Sequence, residues 1–573
     1  MMPLRFVLAF PSPGPTSEKL TVVDNPRNIR GSGPTIWHDP RTPCAELADD
    51  GKVLGITFSR EKFRQADHLD APSTRNAEAR ARRLVRLYWG GYCAILPDRE
   101  SGSWTVLVDP SGLLPVYRFA TPTHVLLTSD PALLAGFHSG AMSVCFQAMG
   151  AHLLRPELRQ RLTCLRGIEE LTPGILYHLD RPAEPARTIW SALDFLPRGP
   201  APAFETAAEG LRTLAVAVMG SWSDLFGRVS VAASGGVDSS LICAALAGAG
   251  EDFDCVTVAT ADRSGDERAY ARELAAKLQV RCAERLYDSA LFDCTRPASA
   301  RLPRPARRAF LSVLDAVLND AMQELGATVV LDGNGGDNLF CFLHSAAPVV
   351  DRLRSEGLSN GLARTVLDMC RITGCSVPTM LKATLRRLGR RQSQEWWPPD
   401  ERFLTPEAAK APWEALTPWL DRFEDRRSGK HDHMRLIMHA QNHIHGLSAG
   451  LPRLSPLASQ PLIEFCLSIP TWLWAEGGVN RALARTAFAS DLPAAILGRT
   501  SKAGPDSFIR DSFAANYAVI RERLLDGLLA AHYVIDRSAV ERALAVDSFT
   551  DETVIDRLLD LLEAENWSRS WTR

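Results

Sequence analysis

Val229–Ser240 reads V-S-V-A-A-S-G-G-V-D-S-S, a short apolar strand, a Ser/Gly loop and an aspartate that run into the helical stretch Leu241–Ala249. Gly235 and Gly236 let the backbone approach an anion closely. The loop N–H groups and the hydroxyls of Ser234, Ser239 and Ser240 are placed to donate to phosphate oxygens at a helix N-terminus. The stretch therefore reads as a site for the pyrophosphate end of ATP. No lysine follows, so it is not a Walker loop. Asp238 instead sits where a magnesium ion would bridge it to pyrophosphate. The chemistry suggested is attack at the α-phosphate with pyrophosphate leaving. Taken alone, S-G-G-x-D is a turn plus an N-cap; the strand before it and the helix after it favour nucleotide binding.

Downstream, Phe253–Thr260 (F-D-C-V-T-V-A-T) reads as a second buried strand, Asp266-Glu267 and Tyr270-Ala271 open a further helix, and Val329–Phe340 reads V-V-L-D-G-N-G-G-D-N-L-F. Asp238 and Asp337 each lie just past an apolar strand, and such positions meet at the C-terminal edge of one parallel sheet. An Asx-turn is the plain reading of Asp337; with Asp238 placed, the metal reading is favoured. These stretches resemble the asparagine synthetase superfamily, with its D-E-x-x-Y-A and V-L-S-G-x-G-x-D-E-L-F elements. The resemblance implies ATP and Mg2+ as cofactors and Asp238 and Asp337 as the magnesium aspartates. It also implies nucleotide contacts at Ser234, Gly235, Gly236, Ser239, Ser240, Val258, Gly333 and Asn334. Further on, Arg453–Phe465 resembles the family's R-x-P-F-L-D-x-x-L-x-x-F, and Asn480–Arg499 ends L-P-A-A-I-L-G-R in its register. Lys502 follows. By resemblance it is the catalytic lysine that stabilises charge as an amine attacks the acyl-adenylate; alone, it would be a surface lysine in a Gly-rich loop.

Upstream, Tyr88–Ile95, Leu107–Tyr117, Leu127–Asp130 and Gly167–Gly174 resemble the glutaminase half of glutamine-dependent asparagine synthetases. That domain uses a cysteine as its processed first residue. This chain begins Met1-Met2-Pro3 and its first cysteine is Cys44, so glutamine hydrolysis is not expected. The N-terminal half is then expected to be a scaffold or a peptide-contacting surface.

The net charge of −2 on 573 residues gives no reason to invoke nucleic acid. Twelve cysteines form no CxxC pair, no secretory signal is evident and no apolar run is long enough to span a bilayer; a reduced, cytoplasmic setting is expected, with no membrane partner. Arg301–Arg308 and Arg386–Arg391, the latter followed by Trp396-Trp397-Pro398-Pro399, read as solvated surface, with a peptide-holding role as the alternative. His431, His433, His439, His443 and His445 crowd one helical-looking stretch. His439 and His443 lack the glutamate of an H-E-x-x-H pair and read as surface or substrate-contacting groups rather than metal ligands.

The expected fold class is α/β. Residues 1–199 would form a glutaminase-like (Ntn) β-sandwich without its cysteine nucleophile, with Pro197–Pro202 as linker. Residues 203–573 would form a synthetase domain of the ATP-pyrophosphatase type: a helix over Ala203–Leu225, a doubly wound parallel sheet to Leu343, and a helical remainder. Asparagine synthetases carry Glu, and β-lactam synthetase Tyr, at the position of Asn334, and an amide cannot serve as that general base. The run D-G-N-G-G-D-N-L-F-C, with Asn338 and Cys341, instead resembles lasso peptide macrolactam cyclases. The implied reaction is adenylation of an Asp or Glu side-chain carboxylate in a linear precursor core peptide, then attack by that peptide's α-amine. A leader-binding protein and a leader peptidase are the implied companions. A β-lactam- or ammonia-dependent asparagine-type amide synthetase, and a non-catalytic nucleotide-binding scaffold, are the alternatives.

Overall fold

The computed structural model describes residues 4–11, 27–29, 34–47, 50–66, 68–69, 76–137, 142–179, 185–263, 265–300, 302–307, 309–389, 397–444, 452–500, 504–545 and 551–572. The apolar run ahead of the Ser/Gly loop forms the strand Val229–Ala232, and its alternation sends side chains to two different cores. Val229 and Val231 join Cys255, Leu241 and Ile242 on one face. Ala232 turns to the other, where Val256, Val330, Leu318 and Met322 pack. Helix Val237–Ala249 thus covers one face and helix Leu311–Leu325 the other.

The sheet is parallel throughout, ordered Cys282–Leu286, Phe253–Ala259, Val229–Ala232, Val329–Leu331, Arg453–Leu454. Sequence order runs outward from the Val229 strand on one side and resumes with Val329–Leu331 on the other. The order therefore reverses between these two strands, and the crevice at their carboxyl ends is where such sheets bind ligands. The fifth strand is an exception within a remainder expected to be predominantly helical. Arg453 and Leu454 pair with Val330 and Leu331, a two-residue strand inside what read as a helical motif. The other named elements beyond Ala346 are helices among the described residues, with one isolated bridge inside that region, between Leu404 and Ile535.

N-terminal to this sheet lie two six-stranded sheets whose described pairings are all antiparallel. Phe6, Leu8 and Phe10 of the first sheet share a buried cluster with Leu54, Ile56 and Trp89 of the second, so the two form a sandwich. Val7 and Ala9 turn the other way into a second cluster, with Leu558, Leu562 and Trp567 of the helix Glu552–Trp571. The first sheet is consequently covered on both faces. Helix Phe204–Phe226 buries Leu211, Ala215, Val218 and Trp222, one stripe at helical spacing, beneath the second sheet and the parallel sheet.

A polar knot ties sandwich to helices. Arg60 donates from both terminal nitrogens to Glu464 at 2.6 and 2.9 Å, and Trp190 Nε1 and Gln460 Nε2 donate to the same carboxylate at 2.7 and 2.8 Å. Among the described residues, no helix is long and apolar enough to cross a membrane.

Candidate active site

Two glycine loops at the reversal point pack directly on each other. Gly235 has a left-handed backbone (φ 64°), and a Cβ there would lie 2.4 Å from Tyr270 Cβ. The turn lets Gly236 cap the helix that carries Asp238 in its first turn. In the second loop, a Cβ on Gly333 would lie 2.8 Å from the Ser239 nitrogen, and one on Gly336 only 2.3 Å from Asp238 Cγ. The absence of side chains at 333 and 336 is what brings Asp337 beside Asp238.

One guanidinium group joins the two carboxylates. Arg481 Nη1 donates to both Asp238 oxygens at 3.1 Å and pairs with Asp337 as well. Arg481 itself sits in the left-handed region (φ 54°), unusual for a long side chain, and lies 5.1 Å over the Phe342 ring. Nearby, Arg485 donates to the carbonyls of Asn480, Ile496, Leu497 and Arg499, which folds the Asn480–Arg499 segment around the site. Burial, and then the neighbouring Arg481 charge, push the Arg485 guanidinium down to about 10. Arg499 donates to the Gly235 carbonyl at 3.0 Å, pairs with Glu267 and stacks 4.2 Å over Tyr270.

These groups border a cavity of about 430 Å3 lined by Ser234, Gly236, Asp238, Ser239, Val258, Gly333, Asn334 and Asp337, all of them expected from the sequence. Two expected residues do not line it. Gly235 supplies the turn. Ser240 is fully buried, and its hydroxyl has no hydrogen-bond partner among the described residues, because one further step around the helix turns it into the core. Lys502 lies outside the described residues.

A second cavity, about 340 Å3, opens on the other side of the Gly-rich loop and shares Asp238, Gly333, Asn334 and Asp337 with the first. Asn334 is held by Asp332: its backbone N–H and its Nδ2 each donate to that carboxylate at 3.0 Å. Asp332 is locked in turn by Arg453 and by the Ser455 hydroxyl at 2.7 Å. On the far wall, Asn338 Nδ2 donates to His439 Nδ1 at 3.2 Å, and His439 Nε2 donates to Glu157 at 2.5 Å. Burial alone would raise the Glu157 carboxyl; the His439 hydrogen bond and the Arg307 charge outweigh it and hold Glu157 at about 2.

The basic stretch around residue 304 is not the solvated patch its composition suggested. Arg304 is buried against Glu170 at 2.5 Å, and Arg307 joins Glu157 to Asp560. Of the clustered histidines, His431 and His433 are buried and His439 is partly buried in the cavity wall. The side chains of His443 and His445 lie outside the described residues.

The profile of the asparagine synthase family matches residues 225–572, more than half of the chain and the whole of the parallel-sheet region. The chain belongs to the asparagine synthase family. Members are ATP-dependent carbon–nitrogen ligases that generally work with Mg2+. No curated protein sequence matches the chain. Among solved structures, the allosteric regulatory enzyme of purine biosynthesis is matched at 9% identity and a TM-score of 0.18, over 53% of this chain and 76% of that one, too weak a likeness to bear on the architecture.

The residues present fit what such a ligase needs. Of the four acidic residues that line the crevice, Glu267 is taken up by Arg499 and Asp332 by Arg453, while Asp238 and Asp337 share Arg481 and lie side by side. One or two carboxylates, with phosphate oxygens and water completing the shell, is how Mg2+ is usually held on a nucleotide. Arg481, Arg499, Glu157 and Asp332 escaped the sequence reading. The available signal for Arg481 is its place in the N-R pair Asn480-Arg481, directly ahead of the short helix Ala482–Ala487; Glu157 carries none.

Proposed function

We propose that this protein is an ATP-dependent macrolactam synthetase of the lasso peptide cyclase kind. It would activate an Asp or Glu side-chain carboxylate of a linear precursor peptide as the adenylate. It would then join that acyl group to the peptide's own α-amine, releasing AMP and pyrophosphate. The observation that carries the reading is the pair of abutting cavities: a nucleotide-sized space ending at Asp238 and Asp337, and a second space reached across Gly333 and Asn334. An α-phosphate at that junction faces a carboxylate arriving from the second cavity.

In this reading the N–H groups at the start of helix Val237–Ala249, with the hydroxyls of Ser234 and Ser239, bind pyrophosphate. Arg481 adds a positive charge where the leaving group gathers negative charge. Asp238 and Asp337 would hold Mg2+, which supplies charge neutralisation on the phosphates. Lys502 is proposed to act on the acyl-adenylate. Residues 1–199 are proposed as a glutaminase-like unit turned scaffold, residues 203–573 as the synthetase, and a leader-binding protein and leader peptidase as companions in a cytoplasmic pathway. Asn334 supports a peptide amine as acceptor, because its amide already serves Asp332 and is no base.

The modest size of the second cavity favours one other reading, a small-molecule amide synthetase of the β-lactam or ammonia-dependent asparagine type. Incubation with ATP, Mg2+ and a linear precursor peptide, followed by mass spectrometry, separates the two. Loss of one water from the peptide with formation of AMP and pyrophosphate supports the cyclase. Amidation of a free amino acid in place of the peptide supports the alternative, and ADP with phosphate as sole products refutes both.

A further inference from the structure

His439 lines the second cavity while Glu157, 282 positions away in the chain, stands behind it. The ring is fixed from three sides. Its Nε2 carries the proton, donated to Glu157, so Nδ1 holds the lone pair that accepts from Asn338. Trp397 stacks on the imidazole at 4.9 Å and 10°, with the Arg435 guanidinium 5.1 Å over the opposite partner of that stack. Glu157 is held by Arg307, which Asp560 holds in turn. The charged groups around the imidazole are thus Glu157, Arg307, Asp560 and Arg435, with Asp337 next to the Asn338 amide. The side chain remains 22% exposed, open to a cavity whose other wall is the Gly-rich loop.

A carboxylate behind one ring nitrogen and a lone pair directed into a substrate-sized space is the arrangement of an oriented base. We propose that His439 Nδ1 is the general base that deprotonates the attacking amine, with Glu157 as its positioning residue. The assignment rests on the adenylate-forming reading above and supplies the base that Asn334 cannot. An incoming primary amine replaces the Asn338 amide as hydrogen-bond donor to Nδ1. As its nitrogen bonds to the acyl carbon, the bond from that carbon to the AMP oxygen breaks and the nitrogen's proton passes to Nδ1. The products are the amide, AMP and an imidazolium that returns its proton to water in the cavity. The acceptor class is a primary aliphatic amine; a nucleophile already neutral and strong at pH 7 would not need His439.

The test uses the full-length protein, a synthetic linear peptide with a free α-amine and a side-chain carboxylate, and hydroxylamine as a second nucleophile. In His439→Gln, ring closure is expected to fall about 100-fold further than ATP–pyrophosphate exchange. Hydroxamate formation should fall no further than exchange. Glu157→Gln should lower ring closure relative to exchange, and Glu157→Asp, which keeps the carboxylate behind the ring, should recover part of it. Exchange reports folding, and His439→Asn is the second variant if the glutamine variant is unstable. An unchanged ratio of closure to exchange in both His439 variants overturns the base assignment alone. Absence of exchange in the wild-type protein overturns the adenylation reading, and the base with it.

Discussion

Gly336→Ala tests whether the contact between the two glycine loops sets the position of Asp238. The added methyl carbon would lie 2.3, 2.4 and 2.6 Å from Asp238 Cγ, Cβ and Oδ1, where ordinary contact begins near 3.4 Å. The Asp238 side chain must therefore retreat by roughly 1 Å, and Cβ among the offended atoms means that turning the carboxylate about its own bond is not enough. Gly336 is not one of the positive-φ glycines, so no backbone strain enters. Overpacking of this kind costs about 1–3 kcal/mol, which a chain of this size survives. Displacement of a reacting group by about 1 Å costs on the order of 100-fold in rate. ATP–pyrophosphate exchange with the linear peptide should thus fall by about two orders of magnitude while a thermal melt still shows one folded species. Gly199→Ala, with nothing within 4 Å of the new methyl, is the matched control and should exchange at the wild-type rate. A folded Gly336→Ala protein exchanging within twofold of wild type would refute the claim that this contact places the carboxylate.

Asp238→Ala or Asp337→Ala should abolish exchange with the fold intact, and near-normal exchange in either would remove that residue from the site. Arg481→Ala should lower exchange by about 10²–10³-fold, as loss of one preorganised donor does; Arg481→Lys should recover part of it, and steady-state exchange rates decide. Glu157 titrates at about 2 in the folded protein against 4.5 for an ordinary glutamate. Its stabilising contribution is therefore complete above about pH 4.5 and lost as pH falls towards 2. The gap in unfolding free energy between wild type and Glu157→Gln should narrow over that window in denaturant titrations at stepped pH. Lys502→Ala should cost far more in cyclised product than in exchange, and equal losses would place the lysine in nucleotide binding instead.

The parts of the site legible in the sequence are those built by neighbouring residues. Strand, glycine loop, Asp238 and helix follow one another within Val229–Ala249, so local chemistry alone announces them, and the Gly333–Asp337 loop repeats the pattern. Ser240 shows the limit of a motif read without its phase: Ser239 faces the cavity and the next residue faces the core. Arg453–Leu454 escaped because two residues carry no periodicity; their strand exists only through pairing with Val330 and Leu331. The Glu157–His439 pair escaped for the same reason on a larger scale, since nothing near either residue refers to the other. Arg304 and Arg307 read as surface because charge is usually solvated, and only the fold brings Glu170, Glu157 and Asp560 to meet them.

The outer apolar cluster of the sheet that begins at Phe6 is completed by the helix Glu552–Trp571. Translation at roughly 5–20 residues per second separates the two by about half a minute to two minutes. Throughout that interval the cluster around Val7, Ala9 and Leu126 has its earlier members, Leu134, Met149 and Leu153 among them, but lacks Leu558, Leu562 and Trp567. Yield of native protein should therefore depend on chaperone supply and fall with slower elongation. A premature stop just before residue 552 should then produce insoluble chain rather than a shortened enzyme.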